Sequence, residues 1–243
     1  MIKSRLLQLF FAPLLLLITG CGLVDYFYLP APEDTAHELW ESGNAAMNAT
    51  DYFKAVEYFD KLNDRYPFSP YTVQAELALA DAYFLNGNYV EAMDAYIKFE
   101  SMHPRHKEIP YVLYQVGLSG YKSFTSIDRP QIQVEKGLQY LQRLWESYPE
   151  TKYAVVAKDY IVKCRCILAQ HELFIGDFYM RIKKFGGAWQ RYQYVVDNYK
   201  NLSDIHKYAS RQAELAYLRL QKQESQEFME KSHNSWKHYF NWL

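Results

Sequence analysis

Residues 50–67, "TDYFKAVEYFDKLNDRYP", decide the fold, because their pattern returns further along the chain. It recurs as "GNYVEAMDAYIKFESMHP" over 87–104 and as "QVEKGLQYLQRLWESYP" over 133–149. In each copy a small residue stands twelve positions before a proline: Ala55 before Pro67, Ala92 before Pro104, Gly137 before Pro149. Four residues after the small one comes a large apolar residue, Phe59, Tyr96 or Leu141. A fourth copy, "GGAWQRYQYVVDNYK", supplies Ala188 and Tyr192 but carries Lys200 where the proline would stand. Twelve positions upstream of the small residue lie Gly43, Ala80 and Gly176, small again. Small residues let two helices cross closely, and a proline ends the second of them.

Apolar residues recur at helical spacing almost everywhere after residue 34, and strand alternation is missing. The pattern therefore predicts an all-α tetratricopeptide (TPR) solenoid of about five antiparallel helix pairs. The repeats fall near 35–69, 70–106, 107–150, 151–202 and 203–243. The third spacing is stretched by about eight residues, and "SFTSIDRPQ" (123–131), polar and turn-rich, is the predicted insertion between the helices of that repeat. Residues 151–180 contain no helix breaker and read as one long helix. Residues after Ser203 are expected to form a fifth, terminal pair.

The first twenty residues read as a cleaved export signal. Lys3 and Arg5 precede an apolar run from Leu6 to Ile18, too short to span a bilayer and interrupted by Pro13. Ile18-Thr19-Gly20-Cys21 resembles the lipobox of bacterial lipoproteins, in which Cys21 would be lipidated after cleavage at Gly20. The resemblance implies a lipid-anchored protein. Gly22, rather than an aspartate, follows the cysteine and points to the outer membrane, facing the periplasm. Residues 21–34, with two prolines and no helical period, are the expected tether, and 35–243 the repeat domain.

Without residues 1–20 the chain carries 25 basic residues (27 less Lys3 and Arg5) against 28 acidic ones, too even a balance for nucleic acid. Twenty-three tyrosines are the compositional outlier. Cys164 and Cys166 point about 200° apart on a helix and cannot readily pair with each other. No phosphate-binding, dinucleotide-binding, nucleophile-elbow or zinc-protease string occurs. His103 and His106 share an H-x-x-H spacing, but in a proline-containing loop without nearby carboxylates; a metal hydrolase reading of them is the weakest alternative. Neither cofactor nor metal is expected, and the chain reads as a binding protein rather than an enzyme. Stacked helix pairs form a concave groove in which aromatics anchor extended chains at low entropy cost.

The block "YFDKLNDRYPFSPYTVQAELALADAYF" carries a more specific signal. Its Tyr66 to Tyr71, Gln74, Ala75, Leu77 and Ala82-Tyr83, together with Pro104, His106, Tyr111, Tyr114, Gly117 and Leu118, closely resemble the BamD (ComL-like or YfiO-like) family. Asp128-Arg129 and "YPETKY" (148–153) extend the likeness, which spans the lipobox to about Tyr199. The resemblance implies an outer-membrane lipoprotein of the β-barrel assembly (BAM) machinery. Such a protein docks on the barrel insertase BamA, receives unfolded outer-membrane proteins, and works beside other lipoproteins of the complex. It implies substrate contact through the N-terminal repeats, for which Tyr66, Phe68, Tyr71 and Tyr83 are the candidates. It implies BamA docking through Arg191 in "AWQRYQY", an arginine fork suited to a partner carboxylate. The departures are Lys200 and an aromatic end, "SWKHYFNWL", which reads as a docking strip or as the face closing the last pair. Another TPR lipoprotein, a secretin pilotin or a peptidoglycan-enzyme adaptor, is the alternative.

Overall fold

Each helix starts and stops for a reason visible in a few residues. In the computed structural model, which describes residues 34–240 (side chains through 232), Thr35 caps α1 (Ala36–Asn48) through a reciprocal capping box with Glu38. Asp51 caps α2 (Tyr52–Arg65), accepting from the Lys54 amide at 3.3 Å. Then follow α3 (Thr72–Leu85), α4 (Tyr89–Met102), α5 (Ile109–Lys122) and α6 (Ile132–Ser147). Thr151 caps α7 (Lys152–Arg181), a single helix of 30 residues as its lack of breakers predicts. The chain continues as α8 (Phe185–Asn198) and α9 (Ser203–Phe240). No strand occurs among the described residues, and each helix packs on the next. The architecture is an all-α, TPR-like solenoid.

The small residues do what the pattern asks of them. A Cβ on Gly43 would sit 2.4 Å from the Phe59 ring, and one on Gly176 would sit 2.7 Å from Tyr192. Both pairs are sixteen residues apart. In the third unit the equivalent close approach joins Gly117 to Leu141, at 24 residues, so the eight extra residues lie between them. Most of them lie in the 123–131 loop that separates α5 from α6, where the equivalent turns have three residues.

The same register sets the turns. Seven residues after Gly43, Ala80 and Gly176 come Thr50 (φ 58°), Gly87 (φ 83°) and Lys183 (φ 60°), the left-handed residues that reverse the chain within each pair. The second helices end alike as well. Tyr66, His103, Tyr148 and Tyr199 cap them with φ between −124° and −136° and ψ between 38° and 56°. Proline following the first three bars the α region at that cap. Lys200 leaves the conformation at Tyr199 intact, because that cap's amide still bonds the Val195 carbonyl at 3.0 Å.

One position beyond the small residue, the sequence alternates chemistry. Asp81 accepts from the Tyr96 hydroxyl at 2.5 Å and the Tyr111 hydroxyl at 2.6 Å, tying α3, α4 and α5 together. Asp177 accepts from Tyr192 at 2.6 Å and Tyr208 at 3.1 Å, tying α7, α8 and α9. The first and third units have Asn44 with Phe59 and Leu118 with Leu141 at these places, where no such clasp can form.

The expectation of a fifth pair over 203–243 gives way to a single helix within the described residues. Neither glycine nor proline occurs between Ser203 and Phe240, so nothing breaks the 38-residue α9. Ala209, Ala213 and Ala216 are buried near its start. At 1.5 Å per residue α9 runs to about 57 Å against about 21 Å for α8, so it outruns the helix it packs on. Phe228 and Met229 are consequently exposed. The side chains of Trp236, Tyr239, Phe240 and Trp242 lie outside the described set, as do residues 1–33 with Cys21 and most of the expected tether.

Candidate docking site

The joint "YPFSPY" is built by hydrogen bonds that leave little of it free. The Tyr66 carbonyl accepts from the Ser69 amide at 3.0 Å and the Thr72 hydroxyl at 2.7 Å. The Tyr71 amide bonds the Ser69 hydroxyl at 3.2 Å. Tyr71 sits at the N-cap of α3, one residue ahead of the helix, and its ring stacks on Trp40 with centroids 6.1 Å apart and planes 17° apart. Trp40 in turn tilts against Phe59 at 5.7 Å. The Tyr66 hydroxyl donates to the Asp34 carbonyl at 2.8 Å, and Lys61 Nζ lies 2.5 Å from the Asp34 carboxylate. That lysine holds the exposed Asp34 carboxyl below its ordinary value.

The four predicted peptide-binding residues therefore divide. Phe68 is 99% exposed, a bare ring at the tip of the joint. Tyr66 and Tyr71 are half-buried against the core of the first unit and support that tip. Tyr83 packs half-buried on the central core, not with the other three; burial first, then Asp60 and Glu91, pushes its hydroxyl pKa up.

Arg191 on α8 forms an ion pair with Glu172 on α7 at 2.8 Å and keeps 43% of its side chain exposed. Beside the pair opens a cleft of about 220 Å³, lined among others by Gln131, His171, Glu172, Tyr194 and Tyr199. His171 Nδ1 is 2.6 Å from the Ile127 carbonyl, which pins the inserted loop to α7. Sequence reading missed His171; its only signal was a place on the long helix opposite the insertion.

Most of the tyrosine excess is packing. Tyr111, Tyr114 and Tyr121 of α5 interlock with Tyr153 and Tyr160 of α7, with ring centroids 5.2 to 6.1 Å apart. Burial pushes the Tyr114 hydroxyl up to about 12. Lys152 and Lys163 lie over the Tyr153 and Tyr160 rings at 5.0 and 4.7 Å. The H-x-x-H residues are packing too: His103 and His106 flank the Phe99 ring at 4.9 and 5.2 Å, and His103 Nε2 contacts Glu76 at 2.6 Å. Among the described residues no cluster of three His, Cys, Asp or Glu could hold a metal. Cys164 is a buried thiol pushed up to about 12, and Cys166 is half-buried; both are free. No described helix is long and apolar enough to cross a membrane.

A stack of successively packed helices, with a bare aromatic at one joint and a paired arginine on a later helix, is a helical-repeat architecture. The chain belongs to the YfiO family, described as outer membrane lipoproteins, whose profile matches residues 32–232. It is 32% identical over 162 residues to the outer membrane protein assembly factor BamD of Rickettsia prowazekii, an alignment covering 67% of this chain and 64% of that relative. This chain thus spans just under two thirds of that relative's length. Its counterpart of the same name in Neisseria meningitidis serogroup B is 26% identical over 211 residues, covering 83% of this chain and 79% of the relative. That of Vibrio cholerae is 26% identical over 186 residues, covering 72% and 77%.

Proposed function

We propose that this protein is a lipid-anchored, non-enzymatic scaffold and substrate receptor in the assembly of outer-membrane β-barrel proteins. The observation that carries the proposal is the family match over residues 32–232, with relatives named as outer membrane protein assembly factors. In this reading Cys21 carries the lipid, residues 21–34 tether it, and the repeats face the periplasm. An unfolded barrel chain docks on the Phe68 ring, with Tyr66 and Tyr71 as the rigid platform beneath it and Tyr83 as a further contact. The joint's backbone is already held by its own hydrogen bonds, so the segment that carries the ring loses little freedom on binding, which favours affinity.

Arg191 is the contact to a BamA-like insertase. Its fork is shared with Glu172 at the surface, so a partner carboxylate competes with an internal one, and exchange costs little compared with stripping a solvated arginine. Other lipoproteins of the same machinery complete the complex. The test is depletion of the protein while barrel proteins are followed in the outer membrane, together with recovery of partners on a tagged copy. Falling barrel levels and recovery of the insertase are expected. Unchanged barrels, with a secretin or a peptidoglycan enzyme recovered instead, would overturn the reading.

A further inference from the structure

The turn between α7 and α8 is electrostatically unlike the rest of the solenoid. No acidic residue occurs between Asp177 and Asp197, while Arg181, Lys183 and Lys184 do, ahead of the paired Arg191. Several cations elsewhere in the repeats meet carboxylates: Lys54 with Asp51, Lys61 with Asp34, Arg143 with Glu100, Lys163 with Asp159. At this turn Arg181, Lys183 and Lys184 do not, among the described residues. Arg181, Lys183, Arg219 and Lys222 line one groove of about 670 Å³ between the turn and α9, and no acidic residue lines it. None of these four forms an ion pair among the described residues. Arg181 and Arg219 instead lie over the Phe178 and Phe185 rings, at 6.0 and 5.8 Å.

The cluster gathers like charge at one turn. Arg181 ends α7, where the dipole favours a cation, but the same charges face the start of α8, where the dipole is positive and the N-cap, Lys184, makes no side-chain cap hydrogen bond. Lys183 adds backbone strain. It occupies the left-handed turn position at φ 60°, where the first unit has Thr50 and the second has Gly87, and a side chain is disfavoured there.

We propose that this groove is a docking site for an extended acidic segment of a partner protein, separate from the YPFSPY joint and from Arg191. Its walls match that occupant. The four cations take carboxylates, Met180 and Phe185 give an apolar floor for one large side chain, and the carboxamides of Gln223 and Gln226 offer bonds to a peptide backbone. The carboxamides and floor favour a peptide over a phosphate-bearing lipid surface, which would need only charge.

The test uses the full-length protein in detergent and a fluorescein-labelled Glu-Asp-Glu-Phe-Glu-Asp peptide, read by anisotropy. The peptide is expected to bind, with affinity falling steeply between low and physiological salt. Arg219→Glu with Lys222→Glu should weaken it by about tenfold or more. Lys183→Gly separates docking from folding: it should weaken the peptide severalfold while the melting temperature rises. Absence of binding, binding indifferent to these substitutions, or capture of phosphatidylglycerol vesicles without capture of the peptide would overturn the proposal.

Discussion

The two aspartate clasps share chemistry and register but not surroundings. Asp81 with Tyr96 and Tyr111 lies within the large central core, whereas Asp177 with Tyr192 and Tyr208 lies near the end of the stack, where Tyr208 is 41% exposed. Burial raises the Asp81 carboxyl above its ordinary value although both tyrosine bonds oppose the rise. The difference teaches that a repeated hydrogen-bond motif has no fixed worth: its contribution depends on how much water it has lost. The central clasp is shut off from water, while the clasp at α9 is partly open to it.

The largest expected effect is the difference between removing each carboxylate. Asp81→Ala leaves two largely buried hydroxyls without an acceptor and should lower the unfolding free energy by about 3 kcal/mol, measured by urea denaturation at neutral pH. Asp177→Ala should lower it by about 1 kcal/mol, because water can replace the acceptor. Equal losses would break the comparison.

Next comes the close approach beneath the second clasp. Gly176→Ala drives a methyl to 2.7 Å of the Tyr192 ring and should cost about 2 kcal/mol, since overpacking displaces the tyrosine from Asp177. Gly186→Ala, with its nearest neighbour at 3.7 Å, should cost nothing or stabilise slightly, read by thermal melting.

The pH dependence sharpens the contrast without removing a side chain's bulk. A carboxyl whose folded pKa is raised above 3.8 stabilises fully below that value and loses the contribution as pH rises through the folded pKa. The Asp81→Asn variant should therefore lose less stability than the unsubstituted protein from about pH 4 upward, in a series of urea midpoints. The exposed carboxyls of Asp34, Asp51 and Asp128, held low by Lys61, Lys54 and Ser126 respectively, titrate with the opposite sign in both proteins and cancel in the difference.

The smallest effect separates docking from structure at the opposite end of the molecule. Phe68→Ala removes a ring with nothing packed on it and should change stability by less than about 0.5 kcal/mol while weakening capture of an unfolded barrel chain. Tyr71→Ala removes the partner of Trp40 and should cost about 2 kcal/mol as well. If Phe68→Ala leaves capture untouched, the joint only turns the chain.

Legibility followed the range of the interactions. Gly43 against Phe59 and Gly176 against Tyr192 were readable because a close helix crossing needs a small residue at a fixed offset. The inserted loop was readable because it shifts that offset by eight. The clasps were also written in the register, as an acid one place after the small residue and a tyrosine fifteen further on, but their third members, Tyr111 and Tyr208, come from the next helix. Tyr66, Phe68 and Tyr71 could not be sorted in advance: six residues hold three aromatics with equal claim to solvent or core. The family followed from the same block, through its likeness and not its physics.

Sequence alone determined that the chain is a stack of helices, where each pair turns, and which unit carries the insertion. Periodicity, small residues and prolines act within a few turns of helix, and their message needs no partner. Only tertiary structure decided which tyrosines pack and which ring is bare. It also decided that Arg191 meets Glu172, that α9 is one helix where a pair was expected, and that Arg181 and Lys183 share a groove with Arg219 and Lys222. Those outcomes rest on contacts between helices far apart in the chain, where burial and neighbouring charge set the energy of each side chain.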